Sequence, residues 1–329
     1  MKTTDFASIV TKIRVWESRL LTKPFYERLI DTENLDGALK LLSETYYGHY
    51  LEGKNFEAAL NKAFKDMYDE LYEITPYKEI IDFMRVKYDY HNIKTLIKGK
   101  ILDKDFSSIL IPMGILDIDI LKTALSKENY AELPNIMSEA IKTALDDFEN
   151  IKDPQRIDII LDRYMFIHMK NLVQILNNSF LEGYVTTLID LTNIKTILRI
   201  KSLNKPLNFL KEVLLDGGEL DSSLLKELFL EDYSLIPNKL AHKNYGLMIK
   251  ESIETFLRTN SLSSFEKNID DYIMGYMKDS KLINIGPEPI AVFIYARETE
   301  IKNLRIILVS KLNNVSKELI KERLRDSYV

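Results

Sequence analysis

The carboxylates set in adjacent pairs come nearest to a chemical signature in this chain. Asp146-Asp147 and Asp270-Asp271 are the residue type that holds Mg²⁺ against a diphosphate in helical synthases that ionise such substrates. That chemistry needs a further carboxylate one helical turn on, so that the ligands share a face. Asp147 is followed by Phe148-Glu149-Asn150 and Asp271 by Tyr272-Ile273-Met274, so the second-turn carboxylate is missing from the required place. The histidines, His49, His91, His168 and His242, are isolated, with no second His or paired acid in a metal-ligand spacing. Gly53-Lys54 and Gly99-Lys100 lack both the upstream glycine and the following Ser or Thr of a phosphate loop. No Gly-x-Ser-x-Gly elbow is present. With no cysteine at all, disulfides, thiolate metal sites and cysteine nucleophiles are excluded, which fits a reducing compartment. No catalytic residue, cofactor or metal site is therefore expected.

A phrase used three times is more telling. It reads Asp89-x-x-Asn92-Ile93-Lys94-x-Leu96-Ile97-x-x-Lys100, then Asp190-x-x-Asn193-Ile194-Lys195-x-Ile197-Leu198-x-x-Lys201. The third copy is Glu300-x-x-Asn303-Leu304-Arg305-x-Ile307-Leu308-x-x-Lys311. The copies stand about one hundred residues apart, the signature of a chain built from versions of one module. At 100° per residue, the acid, the Asn, the apolar residue after it, the next apolar residue and the final Lys fall on one helical face. Asp89, Asn92, Asp190, Asn193, Glu300 and Asn303 are thus expected to turn inward as a structural signature, with each Asn bridging a neighbouring loop. The base at the sixth position (Lys94, Lys195 or Arg305) points about 140° from its acid and must reach another helix, a partner or water. These three bases are the candidate partner contacts.

The elements that must position the phrase read as helices. Apolar residues recur at steps of three and four, as in Phe25, Leu29, Ile30 and then Leu35, Leu39, Leu42. Breaks fall at Pro76, Pro112-Met-Gly114, Pro134, Pro154, Pro206, Gly217-Gly218, Pro237 and Gly286-Pro287-Glu-Pro289. Ile109 to Ile111 and Ala291 to Tyr295 tempt a strand reading, but with no partner strands nearby helix or loop is expected. Leu35-Asp36, Leu116-Asp117 and Leu220-Asp221 each open an apolar helix, the Asp suiting a helix N-terminus. The predicted modules are 1–104, 105–206 and 207–329.

Composition agrees with an all-α chain. Only 11 glycines and 9 prolines punctuate 329 residues, few for a β protein, while 46% hydrophobic residues suffice for a core. The net charge of −5 is spread without a basic block, which speaks against nucleic acid. The best apolar run, Ile290 to Ala296, is far short of the roughly 20 residues a membrane helix needs. Asp5 and the lack of a long apolar stretch after it argue against a signal peptide.

Taken with the repeat, the stretch from Pro287-Glu-Pro289 through Lys311, closing on Ile320 to Tyr328, resembles the C subunit of V-type and archaeal-type rotary ATPases. That family is similar to the d subunit of the eukaryotic vacuolar pump. The segment Lys12-Ile13-Arg14-Val-Trp16-Glu17-Ser18-Arg19-Leu20-Leu21 is similar to the family's opening helix, and the likeness runs the length of the chain. Val309 departs from the pattern, since the first two copies carry Lys98 and Arg199 there. The resemblance implies an all-α funnel of three similar modules about a pseudo-threefold axis. It also implies a non-catalytic rotor component, without a cofactor, on the cytoplasmic face of the membrane. Its implied partners are the shaft subunits of D and F type and the membrane proteolipid ring. A generic helical-repeat scaffold, its modules stacked in a line, is the alternative reading.

Overall fold

The computed structural model describes residues 6–329; Asp5 lies outside the described residues. Among them there is no strand, and the elements are sixteen α-helices with four short 3-10 helices in the connections. In chain order they are α1 (Ala7–Glu17), α2 (Lys23–Asp31), α3 (Leu35–Leu42), α4 (Phe56–Ile74), α5 (Glu79–Leu102), α6 (Ile118–Lys127), α7 (Asn135–Ile151) and α8 (Pro154–Leu176). The rest are α9 (Ser179–Ser202), α10 (Leu207–Val213), α11 (Ser222–Leu230), α12 (Ile236–Leu240), α13 (Gly246–Thr259), α14 (Ser263–Asp279), α15 (Glu288–Leu312) and α16 (Lys317–Arg323). Ala291–Tyr295 lies inside α15, and of Ile109–Ile111 the first residue ends a 3-10 turn while the other two are irregular backbone.

The fold divides into two compact units, one made of the chain up to Tyr77 together with Glu231–Val329, the other of Lys78–Leu230. In the Lys78–Leu230 unit, α8 packs against α5, α7 and α9, while α6 lies on α5 and α11 on α9. In the other unit α15 is the hub, touching α1, α3, α4, α14 and α16.

The three phrases lie on α5, α9 and α15, the longest helices of the chain at 24, 24 and 25 residues. Apolar side chains surround these helices instead of forming one stripe, and α15 buries every residue from Pro289 to Arg297. A peripheral helix such as α7 buries only Met137, Ala140, Ile141 and Ala144, a single face. Burying each large apolar side chain contributes about 1.5–3 kcal/mol, so a helix enclosed on all sides is held by many such terms.

The phrase helices also end alike. Asp103, Asn204 and Asn314, each eleven residues beyond the phrase Asn, take left-handed backbone angles with φ of 49°, 51° and 53°. Asp and Asn tolerate this conformation better than other side chains. The next amide then closes on the helix end: Lys104 N–H donates to Gly99 O at 3.0 Å, Lys205 to Ile200 at 3.0 Å and Val315 to Ser310 at 2.9 Å.

Candidate functional site

Each phrase Asn is fully buried or nearly so and grips one backbone residue of a loop at both ends. Asn92 Nδ2 donates to Ile111 O and Asn92 Oδ1 accepts from Ile111 N–H, both at 2.8 Å. Asn193 makes the same pair with Leu215, both at 2.9 Å. Asn303 does so with Arg325, again at 2.9 Å twice. An amide side chain offers one donor and one acceptor side by side, which is what an extended backbone residue needs.

Five residues on from Ile111 and from Leu215, the acid takes over. Asp89 accepts from Leu116 N–H at 3.0 Å and from Ile115 N–H at 2.8 Å. Asp190 accepts from Leu220 N–H at 3.0 Å. Close approach is possible because Gly114 and Gly218 sit two residues before these leucines. A side-chain carbon at either glycine would overlap the Asp carboxylate. Burial pushes the Asp89 carboxyl up to about 7, against the Leu116 and Ile115 amides, which favour its anion.

The third acid is Glu300, which accepts from Leu21 N–H, near the other end of the chain. Leu21 stands two residues before α2 as Leu116 stands before α6 and Leu220 before α11. The residue in register with those leucines is therefore Leu21, whereas sequence spacing points to Leu35. Asp117 and Asp221 do cap their helices, accepting from Asp119 N–H at 2.8 Å and Leu224 N–H at 2.9 Å. Asp36 sits inside the first turn of α3, whose cap is Asn34.

The final Lys completes the pattern nine residues further on. Lys100 Nζ reaches Leu125 O at 3.4 Å and Glu128 Oε1 at 2.7 Å, at the end of α6. Lys201 donates to Phe229 O at 2.5 Å at the end of α11. Lys311 donates to Ile30 O at 2.6 Å and to Thr32 O at the end of α2. A cation there satisfies last-turn carbonyls and opposes the helix dipole. One face of each phrase helix thus holds a short helix at its start and its end and grips a further backbone segment through its Asn, three times over.

Clamp three carries extra buried charge. Arg297 pairs with Glu300 Oε1, and Tyr47 donates its hydroxyl to the same oxygen at 2.7 Å. Both Arg297 and Glu300 are 3% exposed. Burial opposes the Arg297 charge, but the Glu300 carboxylate outweighs it and the pKa rises.

The candidate contact bases lie half-buried on the flanks of their helices. Lys94 pairs with Asp162 on α8. Arg305 pairs with Glu57 on α4 at 2.9 Å and also reaches Asn61. Lys195 is likewise engaged. Pairs this exposed are worth about 0–1 kcal/mol each, so they are weak constraints on the fold. Among the described residues, no three His, Cys, Asp or Glu side chains gather as a metal would require, and no helix is long and apolar enough to cross a membrane.

The model of the ATP synthase (C/AC39) subunit family matches residues 9–323, which includes all three phrase helices. The chain belongs to that family. Among its relatives, the C subunit of the V-type sodium ATPase of Enterococcus hirae is 29% identical over 319 residues, covering 96% of this chain and 97% of its own. The C subunit of the A-type ATP synthase of Methanocaldococcus jannaschii is 28% identical over 344 residues, covering 97% and 86%. That of Methanosphaera stadtmanae is 27% identical over 339 residues, covering 95% and 86%.

Proposed function

We propose that this chain is a non-catalytic component of the central stalk of a rotary ATPase. In that role it joins the rotating shaft, made of D- and F-type subunits, to the proteolipid ring of the membrane. It would work as a peripheral protein on the cytoplasmic face, with modules 1–104, 105–206 and 207–329 set as a funnel about a pseudo-threefold axis. The observation that carries the reading is full-length kinship with the C subunits of V-type and A-type enzymes. The clamps support it physically. A torque coupler must not yield under load, and close-packed helices locked end to end by buried hydrogen bonds are stiff. Contacts with a ring whose copy number need not be a multiple of three are expected to be broad and individually modest.

Lys94, Lys195 and Arg305 are the proposed contacts with shaft or ring, since all three lie half-buried on the flanks of their helices and the ion pairs of Lys94 and Arg305 contribute little to the fold. Purification of the complex from native membranes carrying the triple variant Lys94→Glu, Lys195→Glu, Arg305→Glu tests this. Shaft or ring components should be lost from the preparation while the isolated variant keeps its helical circular dichroism. Unfolding of the variant, or undiminished co-purification, would remove these residues from the interface. Recovery of the native chain without any other part of a rotary ATPase would overturn the functional reading itself.

A further inference from the structure

Clamp three departs from the other two at two further positions, and both departures are to arginine. Three residues before the acid, clamps one and two carry Val86 and Thr187, where clamp three has Arg297. Two residues before the gripped leucine they carry Gly114 and Gly218, where clamp three has Arg19. The clamp itself works without either guanidinium. Yet Arg19 and Arg297 line one cavity of about 130 Å³ together with Trp16, Tyr46, Met67, Glu70 and Phe293.

The charges around this cavity do not balance. Arg297 is matched by Glu300. Glu70 is matched by Lys12 at 2.6 Å. Among the described residues the Arg19 guanidinium meets no acceptor, so one positive charge is left over. Moreover, the Nε–H of Arg297 is buried and unpaired, although its Nη1 serves Glu300 and Tyr47. A buried charged donor without an acceptor is costly. The Arg297 guanidinium is held flat by Tyr46 and Phe293, at 4.9 and 5.6 Å from the ring centroids, so its fork is preorganised.

We propose that this cavity is a binding site for a small oxyanion, phosphate or carboxylate. One guanidinium is fixed and buried, the other exposed and free to close over the ligand. Two guanidinium groups lining one cavity and a surplus of one positive charge suit one anion of this class.

Trp16 is the only tryptophan in the chain, so its emission reports on the cavity directly. The full chain is titrated with sodium phosphate and, in a second arm, sodium acetate, each against sodium chloride at equal ionic strength. A saturable change in Trp16 fluorescence and a raised melting temperature are expected with at least one of the two, and the responding arm tells phosphate from carboxylate. Arg19→Ala should weaken the response tenfold or more while leaving the melting temperature in chloride unchanged, because Arg19 is exposed and outside the buried network. No saturable response to either anion, or an equal response in Arg19→Ala, would overturn the proposal and leave the cavity to water.

Discussion

The two clamps of the Lys78–Leu230 unit and the one in the other unit solve the same problem with different chain connectivity. In the first two, the residue gripped by Asn and the leucine gripped by the acid belong to one continuous loop, Ile111–Leu116 or Leu215–Leu220. In the third, Asn303 holds Arg325 while Glu300 holds Leu21, so two distant segments replace a single loop. The side chains adjust accordingly. Where Gly114 and Gly218 let the backbone come close, an Asp suffices; where Arg19 stands, the acid is one methylene longer. Polar contacts replace the missing covalent link. Tyr328 donates to Glu17 at 3.0 Å, Lys281 to Tyr328 O at 3.1 Å, Arg325 to Asp270 at 2.9 Å and Asp326 N–H to Asp271 at 2.7 Å. The comparison teaches that these buried side chains define the clamp whichever way the chain runs, and that a clamp without covalent continuity needs more of them.

The largest expected effect separates the two kinds of acid. Glu300→Gln leaves Arg297 buried without its carboxylate and should cost about 3–5 kcal/mol, read as a shift in denaturant midpoint. Asp190→Asn removes an acceptor without stranding a buried arginine beside it and should cost about 1–3 kcal/mol. Equal losses would show that the extra charge in clamp three is incidental.

The next effect tests what the clamps share. Asn92→Ala, Asn193→Ala and Asn303→Ala each strand a backbone N–H and C=O, for about 2–3 kcal/mol apiece by chemical denaturation. Only Asn303→Ala should also accelerate amide exchange across 323–329, because no continuous loop ties that tail down. Protection there at the wild-type level would mean that the other tail contacts suffice alone.

The smallest effect is a pH dependence that belongs to the Lys78–Leu230 unit. His168 on α8 lies edge-on to Tyr90, and burial lowers its pKa from 6.5 to about 4. Folding therefore excludes a proton that the unfolded chain binds. The stabilisation is complete above about pH 6.5 and falls as pH drops toward 4. Asp89 acts oppositely, because its raised pKa makes folding favour the proton, and its contribution declines as pH rises from about 4 through 7. His168→Phe should remove the acid-side loss and leave the Asp89 limb visible in urea titrations from pH 4 to 7.5. An unchanged profile would take His168 out of the account.

Much of this was legible from the residues. The helical face of the phrase, the inward acid and Asn, and the bridging of a loop by Asn follow from spacing alone. The partners of Lys100, Lys201 and Lys311 were not legible, because most are backbone carbonyls, which carry no residue-type signal. Leu21 escaped for a different reason. The Gly-x-Leu-Asp run that marks Leu116 and Leu220 is absent around it, since Arg19 stands in place of the glycine, and Leu35-Asp36 offers a closer textual match. The helix stops were readable in principle, as Asp or Asn recurs fourteen residues after each acid, where the left-handed conformation falls.

The contact between Glu17 and Tyr328 has one more consequence. Since α15 already holds the segments near both ends of the chain, the covalent order of the clamps is a convention that protein engineering can change. A circular permutant joining Val329 to Phe6 through a short flexible linker, and cut between Pro112 and Met113, would make clamp three the continuous one and clamp one the split one.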